Sequence, residues 1–339
     1  MITRRKSVAL LSKDQLDYFN EFGFLPLSNV FDPQEVTDPV IEEYKGVLNS
    51  LAEKLFEEGK ISSKFENLSF AKKLTKIMQE TGESHGGFFD FSLPAPSDVT
   101  MDYSGWFGPA VFNAFVNEQI LDVVESIIGP EIYSNPVQHV RIKPPERLLP
   151  KTYNLQVSVG ATAWHQDQGV VSDDADDTNM LTVWFPLLDA PVESGPLKVV
   201  PGSHKGGLLT HCGDFGIKGV MQIPTHLFDE DGAVPVPLNR GDIVILNKKT
   251  VHGSLSNVSE NIRWSFDLRY NPTGQNTGRE AFPGFVARSK KDPTSELRDP
   301  DVWRNMWEET KIKLSSVNKG DPIDVNFRKR SDGNQSDCA

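Results

Sequence analysis

Two histidines and one aspartate carry the chemistry that this sequence first suggests. His165 and Asp167 are two positions apart, and His252 follows about 85 residues after the aspartate. Because side chains alternate along a β-strand, residues i and i+2 point to the same side. Two imidazoles and one carboxylate form the facial ligand set that holds a ferrous ion and leaves its opposite face open. The spacing therefore indicates a metal site, although a surface or hydrogen-bonded His-Asp pair would give the same triplet.

An arginine follows the second histidine by 11 positions. Around Arg263, the apolar residues Ile262, Trp264 and Phe266 alternate with polar ones, which predicts a strand with one apolar face and one polar, inward-facing face. A buried arginine requires an anionic partner. Its guanidinium fits a carboxylate through two parallel hydrogen bonds. The partner of Arg263 is expected to be either the distal carboxylate of 2-oxoglutarate or an acid of the protein.

Composition limits the classes of partner. The chain has 339 residues, of which 38% are hydrophobic and 24% charged, as expected of a soluble protein with a sizeable core. Its net charge of -12 argues against a nucleic-acid backbone or an anionic membrane surface as a partner. No apolar run approaches the roughly 18 residues of a membrane span. The net charge does not exclude a locally basic pocket.

The cysteine count predicts the compartment. Cys212 and Cys338 are the two cysteines of the chain, and they lie far apart without a spacing pattern. Such a pair predicts no disulfide framework and a reducing environment. We therefore expect a cytoplasmic protein.

The N-terminal part, residues 12–130, is predicted to be helical. Ser12 and Gln15 form a capping-box pattern ahead of a first helix, and Asp32 is placed to cap a second. Residues 68–78 and 111–128 repeat apolar positions at helical spacing. Between them, residues 82–108 are rich in glycine, proline and aromatics, which indicates a loop that is either a mobile lid or an ordinary ordered cover.

Residues 131–271 change to short strands separated by turn signals. The predicted strands are 137–142, 153–157, 181–187, 197–200, 234–237, 243–246, 252–255 and 262–270. Roughly eight strands without alternating helices predict a mainly β fold with added helices, built on a double-stranded β-helix, the cupin-like jelly-roll barrel. A C-terminal helix around Trp303 and Trp307 would complete a single domain over residues 1–315. Residues 316–339 are polar and predicted to be a disordered tail.

An ordered series of motifs resembles a known family. The motifs are Ile142-Lys143-Pro144-Pro145, Trp164-His165-Gln166-Asp167-Gln168, Leu181-Thr182-Val183-Trp184, Ser194-Gly195-Pro196-Leu197, Pro201-Gly202-Ser203-His204-Lys205-Gly206, Asn239-Arg240-Gly241-Asp242, His252-Gly253-Ser254 and Arg263. Together with residues 11–31, they resemble the phytanoyl-CoA dioxygenase family of iron(II)- and 2-oxoglutarate-dependent oxygenases. The resemblance spans roughly residues 11–270.

The resemblance implies a role for each matching residue. Three of them are the iron ligands implied by the family: His165, Asp167 and His252. Arg263 matches the residue that pairs with the distal carboxylate of 2-oxoglutarate, and Ser254 matches a hydroxyl in the same anchor. Trp184 matches an aromatic beside the cosubstrate, and His139 a position that lines its pocket.

The resemblance also implies the reaction. The expected activity is hydroxylation of a C–H bond of a small molecule, which consumes 2-oxoglutarate and dioxygen and releases succinate and CO2. Related halogenases carry a small residue in place of the carboxylate ligand, so Asp167 argues against halogenation. Desaturation, epimerisation and cyclisation use the same cofactor chemistry and stay open, as does a cupin metalloprotein without oxygenase activity, which would not need Arg263.

The substrate itself is not selected by these motifs. Arg141, Lys143 and Arg269 lie on predicted strands beside the site, and they would suit an anionic substrate. They could equally pair with the chain's many carboxylates.

Overall fold

The computed structural model describes residues 10–213, 221–317 and 335–338. Its helices within these residues are α1 Lys13–Phe22, α2 Thr37–Glu57, α3 Phe70–Thr81, α4 Pro109–Phe115, α5 Glu118–Ile128, α6 Tyr153–Val159 and α7 Pro300–Ser316. Its strands are β1 Phe24–Leu27, β2 Glu131–Lys143, β3 Leu181–Pro186, β4 Leu197–Val199, β5 Val234–Val236, β6 Ile243–Asn247, β7 His252–Ser254, β8 Arg263–Pro272 and β9 Phe285–Ser289.

Two antiparallel sheets form the centre of the fold. The larger sheet has the strand order β1-β6-β3-β8-β2-β9, and the smaller has the order β5-β4-β7. Apolar side chains from both sheets meet in one buried cluster: Phe24, Trp184, Ala190, Leu197, Val199, Val236, Leu238, Val244 and Leu246. Two sheets that share an apolar interior are the arrangement of a jelly roll.

Strand alternation separates the helical core from the space between the sheets. On β8, Trp264, Phe266 and Leu268 belong to the large core that the helices cover. The ring of Tyr44 on α2 lies 5.3 Å from that of Trp264, edge to face. The intervening residues of β8, beginning with Arg263, therefore face the inside of the jelly roll.

Three elements differ from the sequence prediction. The predicted helix 111–128 is two helices. The first ends at Phe115, and the side chain of Asn117 caps the second by accepting from the Ile120 amide at 3.1 Å. The predicted strand 153–157 is helix α6. Leu155 and Val159, four positions apart, are both buried, and this run satisfies a helical period as well as the strand period. Strand β9 was not predicted.

The start of α2 also lies later than predicted. The sequence places the cap at Asp32, but the helix begins at Thr37. Asp32 instead caps a preceding turn, where its carboxylate accepts from the Gln34 amide at 2.9 Å.

The prediction of no disulfide is wrong. Cys212 and Cys338 are joined, with their Cα atoms 5.7 Å apart, within the usual range for a disulfide. Gln335–Cys338 form a short 3-10 turn, and Thr210 Oγ1 donates to Asp337 at 2.8 Å. The distance in sequence between the two cysteines does not indicate that the C-terminal segment returns to the loop at Cys212.

The remaining predictions on chain organisation are only partly addressed by the structure. Residues 318–334 and 339 of the predicted disordered tail lie outside the described residues, and the single-domain limit at residue 315 stays a prediction. Among the described helices, none is both long and apolar enough to cross a bilayer. The cytoplasmic location also stays a prediction.

Candidate active site

The backbone brings His165 and His252 together. Each histidine amide donates to the carbonyl of the other at 2.9 Å, an isolated bridge at the side of β7. The two imidazole ring centres lie 4.1 Å apart. Asp167 does not continue an extended strand but opens a 3-10 turn, Asp167–Val170. The triplet therefore lies where an extended segment ends.

Backbone carbonyls fix the tautomer of both histidines. Nδ1 of His165 lies 2.9 Å from the Ala163 carbonyl, and Nδ1 of His252 lies 2.9 Å from the Thr250 carbonyl. Because a carbonyl oxygen can only accept, each Nδ1 carries the proton and each Nε2 has a lone pair. Both Nε2 atoms lie 4.0 Å from Oδ1 of Asp167. This orientation by the outer nitrogen is typical of histidines that bind a metal.

The donor set fits a divalent ion. One ligand atom from each of His165, Asp167 and His252 lies within 4.8 Å of the other two. Two neutral imidazoles and one carboxylate suit a first-row transition metal, iron(II) among them. These residues would hold the ion that the facial-triad pattern predicts.

Asp167 is buried but remains ionised. Its Oδ1 accepts from Arg269 Nη2 and its Oδ2 from Thr182 Oγ1. Burial raises the pKa of Asp167, yet the Arg269 guanidinium outweighs it, and the pKa lies well below its usual range. Burial, reinforced by His252, lowers the pKa of His165. Asp167 and His165 are thus in the unprotonated form that metal binding requires.

Arg263 has no acidic partner among the described residues. It is buried, with Nε donating to the Gly195 carbonyl at 3.2 Å and Nη1 to Ser265 Oγ at 2.6 Å. Burial lowers the pKa of Arg263 to about 10, so it is still charged at neutral pH. No described carboxylate lies within 4.0 Å of it, so none of the described acids forms the salt bridge that the sequence left open.

The other three candidate residues, Trp184, Ser254 and His139, lie in different surroundings. Trp184 is buried on the inner face, and its ring centre is 5.9 Å from the Arg263 guanidinium carbon. Ser254 is buried at the end of β7, and its Oγ accepts from the Thr162 amide at 2.8 Å. His139 is held through Nδ1 by Asp90 at 2.8 Å, and its described hydrogen bond involves none of the three candidate ligands. Its role in lining the cosubstrate pocket stays a prediction.

Two of the three cations that suggested an anionic substrate, Arg269 and Arg141, are engaged by acids of the chain. Arg269 pairs with Asp167, and Arg141 Nε lies 3.4 Å from Asp267 Oδ2. Arg269 is therefore a partner of the candidate metal ligand Asp167, a role that the sequence did not reveal although strand alternation places Arg269 inside. Thr182 was also missed, and its only signal is its position two residues before Trp184. These arginines give no support to a charged substrate.

A loop packs behind the triplet through the intervening Gln166. The Gln166 amide donates to Nε2 of His211 at 3.0 Å, and its side-chain nitrogen donates to the carbonyls of Gly207 and Lys249 at 2.8 and 2.6 Å. His211, which sequence reasoning left without a role, is fully buried. These contacts fix the backbone between His165 and Asp167.

Segment 82–108 covers the helical side of the sheet. Phe89 and Phe91 are buried in the large core. Between them, Asp90 Oδ1 accepts from the Val140 amide at 3.2 Å. Whether this segment also acts as a lid stays a prediction.

Comparison with known proteins decides the family. The family model described as phytanoyl-CoA dioxygenase (PhyH) matches residues 19–265. The chain belongs to the phytanoyl-CoA dioxygenase family. The resemblance seen in the motifs is thereby confirmed, and the family's iron(II) and 2-oxoglutarate dependence agrees with the His-Asp-His set.

Individual relatives of this family are distant. A phytanoyl-CoA dioxygenase domain-containing protein 1 homolog of Caenorhabditis elegans is 25% identical over 278 residues, covering 75% of this chain and 89% of that protein. The 1-deoxypentalenic acid 11-beta-hydroxylase of Streptomyces exfoliatus is 33% identical over 138 residues, covering 38% of this chain and 47% of that protein. The solved structure of the non-heme monooxygenase ThoJ has a TM-score of 0.54 at 17% identity, covering 89% of this chain and 98% of its own. That likeness confirms the predicted fold class.

Membership of the family makes the chain an iron- and 2-oxoglutarate-dependent oxygenase. Which reaction it performs, and on which molecule, is not decided by the family alone.

Proposed function

We propose that this protein hydroxylates a C–H bond of a small molecule, with 2-oxoglutarate and dioxygen as cosubstrates and succinate and CO2 as products. One observation carries the proposal. The three candidate metal ligands lie on the inner face of the jelly roll, beside strand β8. The first residue of β8, Arg263, is a buried arginine without a described acidic partner. In a metalloprotein that bound no anionic cosubstrate, the charge of the buried Arg263 would stay unpaired, which is energetically costly.

Each side chain has a separate task. His165 and His252 offer Nε2, and Asp167 offers Oδ1, as ligands to iron(II). Arg263 binds the distal carboxylate of 2-oxoglutarate through its planar donor group. When bound, iron and 2-oxoglutarate together supply the oxidising chemistry that dioxygen requires.

The apolar lining limits water at the site. Trp184 belongs to the apolar cluster between the sheets, together with Val199 of β4 and Val244 of β6. An apolar lining that excludes water strengthens the attraction between Arg263 and a carboxylate, because charges interact more strongly where the local dielectric is low. The same apolar lining keeps solvent from reaching the reacting groups.

Hydroxylation is preferred over the other outcomes of this chemistry. Asp167 occupies the carboxylate position, which argues against halogenation. One relative is named a hydroxylase. Desaturation, epimerisation and cyclisation share the cofactors and differ in the product.

Product analysis tests the proposal. The protein, loaded with iron(II), is incubated with 2-oxoglutarate, 18O2 and a panel of terpenoid, acyl-CoA and amino-acid substrates, and the products are analysed by mass spectrometry. Hydroxylation adds one labelled oxygen atom, desaturation removes two hydrogens, and epimerisation leaves the mass unchanged. A product that forms together with succinate but without labelled oxygen would contradict hydroxylation. Arg263→Leu is the matched variant, and we expect it to need far more 2-oxoglutarate for the same product.

A further inference from the structure

Lys143 is a buried lysine whose hydrogen bonds all go to neutral groups. It is 2% exposed, and Nζ donates to the Gly160 carbonyl, to Thr162 Oγ1 at 2.8 Å and to Ser254 Oγ at 2.8 Å. These bonds use all three of its N–H donors. No carboxylate among the described residues lies within 4.0 Å of Nζ. A buried ammonium that is held only by neutral oxygens carries a charge that an anionic ligand could balance.

Its position is directly beside the proposed cosubstrate anchor. In the pairing of β2 with β8, Lys143 stands opposite Arg263, so both side chains leave the sheet on its inner face. Burial, together with Arg263 and Arg141, lowers the pKa of Lys143 well below its usual value. Two buried basic side chains thus adjoin each other without a described acid between them.

The hydrogen bonds fix the direction in which Ser254 can donate. Ser254 Oγ accepts from Lys143 Nζ and from the Thr162 amide, each at 2.8 Å. The amide cannot accept, and neither can Lys143 in its ammonium form, so both lone pairs of the hydroxyl are then occupied whatever its rotation. Its own hydrogen has no acceptor among the described residues. Ser254 is therefore restricted to the role of donor, which is the role that a carboxylate ligand requires.

Lys143 also joins the two segments that carry the candidate ligands. Gly160 and Thr162 precede His165, while Ser254 follows His252 on β7. The Ser254 amide donates to the Thr162 carbonyl at 3.1 Å, so the segments are already paired. The ammonium fixes this junction from the side of β2.

We propose that Lys143 is a positioning residue for the cosubstrate: it fixes Ser254 Oγ as a pure hydrogen-bond donor beside Arg263, and so makes the anchor selective for a terminal carboxylate. This inference rests on the proposed function, because it concerns the binding of 2-oxoglutarate at that site. The ligand class is a 2-oxo dicarboxylate. A 2-oxo acid that lacks the distal carboxylate gains nothing from Lys143.

Calorimetric titration of the cobalt(II)-loaded protein tests the inference without any turnover. Wild type, Lys143→Met, Ser254→Ala and the double variant are each titrated with 2-oxoglutarate and with 2-oxopentanoate, which has the same carbon chain but no distal carboxylate. We expect Lys143→Met to weaken 2-oxoglutarate binding about 10- to 100-fold, because Ser254 is no longer held as a donor and its charge-assisted hydrogen bond to the carboxylate is lost. Binding of 2-oxopentanoate and of cobalt stays unchanged. The double variant should lose no more affinity for 2-oxoglutarate than the single variant that shows the larger loss, because Lys143 acts through Ser254.

Arg141→Met is the matched control, since Arg141 lies two residues before Lys143 on the same face and its side chain is 40% exposed. Its 2-oxoglutarate affinity should stay within about threefold of wild type. Unchanged 2-oxoglutarate binding in Lys143→Met would overturn the inference. So would an equal loss for both 2-oxo acids or for cobalt, which would make Lys143 a purely structural support, and so would fully additive losses in the double variant. If Lys143→Met does not fold, Lys143→Gln decides, because its side-chain oxygen can accept from Ser254 and so removes the restriction to donor. This variant must lose affinity for 2-oxoglutarate selectively. Failure of the wild type itself to bind 2-oxoglutarate would instead refute the proposed function.

Discussion

Arg269 offers the sharpest test of how the candidate metal centre is held before a metal binds. Its Nη2 donates to Asp167 Oδ1 and its Nη1 to the Val137 carbonyl at 3.0 Å. The side chains of Arg269 and Asp167 are 4% and 0% exposed, so solvent hardly screens the pair. Replacing Arg269 by methionine keeps an unbranched apolar side chain and removes the charge. Because it leaves a buried carboxylate unpaired, we expect a loss of about 3–5 kcal/mol in the unfolding free energy of the metal-free protein.

Thr182→Val is the matched comparison. Thr182 binds the other oxygen of the same carboxylate through a neutral hydroxyl. Valine keeps its shape, so this variant should lose about 1.5–3 kcal/mol, the value of one hydrogen bond to a charged group. Urea unfolding monitored by circular dichroism measures both losses on the metal-free protein.

Metal binding supplies the second half of this test. A divalent ion brings positive charge to the same oxygen that Arg269 contacts. The gap in unfolding free energy between wild type and Arg269→Met should therefore narrow at saturating cobalt(II). A loss below about 1 kcal/mol in the metal-free variant, or a gap that cobalt leaves unchanged, would refute the reasoning.

Three further outcomes follow from features outside the ligand set. Cys212→Ser should lower the unfolding free energy by up to about 5 kcal/mol in the chain-entropy description of a long closed loop. Reduction of the wild type should give the same shift in melting temperature, and no shift would contradict the pairing with Cys338. Asn117→Ala should cost about 1 kcal/mol through loss of the cap of α5, whereas Ala at the exposed Asn113 should cost much less. Burial, opposed by Asp90, lowers the pKa of His139 from 6.5. Below about pH 6.5 the unfolded chain therefore binds a proton at His139 more readily than the folded chain, and the free energy of unfolding falls as the pH is lowered. His139→Gln should flatten that fall by up to about 1.4 kcal/mol per pH unit, and an equally steep profile would contradict it.

The sequence could predict the parts of the site that depend on strand alternation. Arg263 and Arg269 share a parity on β8, and the structure has both facing inward. The family match then confirms the cofactors that the His165, Asp167 and His252 pattern indicated. Local capping rules also applied where one motif decides the outcome, as at Ser12, where the hydroxyl accepts from the Gln15 amide at 3.2 Å.

Pairing across the sheet was beyond the reach of the sequence. That Arg269 contacts Asp167, and that Lys143 stands opposite Arg263, depends on the register between β2, β3 and β8, which no local pattern records. The disulfide between Cys212 and Cys338 depends in the same way on where the C-terminal segment returns. Helix α6 was mistaken for a strand because a short apolar run satisfies both periods.

The most direct test of the account is the binding of 2-oxoglutarate to the iron(II)-loaded protein in the absence of oxygen. We expect the weak visible metal-to-ligand charge-transfer band of an iron-bound 2-oxo acid to appear with the wild type. Asp167→Ala should lose the band, and Arg263→Leu should require about 100-fold more 2-oxoglutarate to reach half of its intensity. A wild-type protein that binds iron but shows neither the band nor 2-oxoglutarate binding would contradict the central claim.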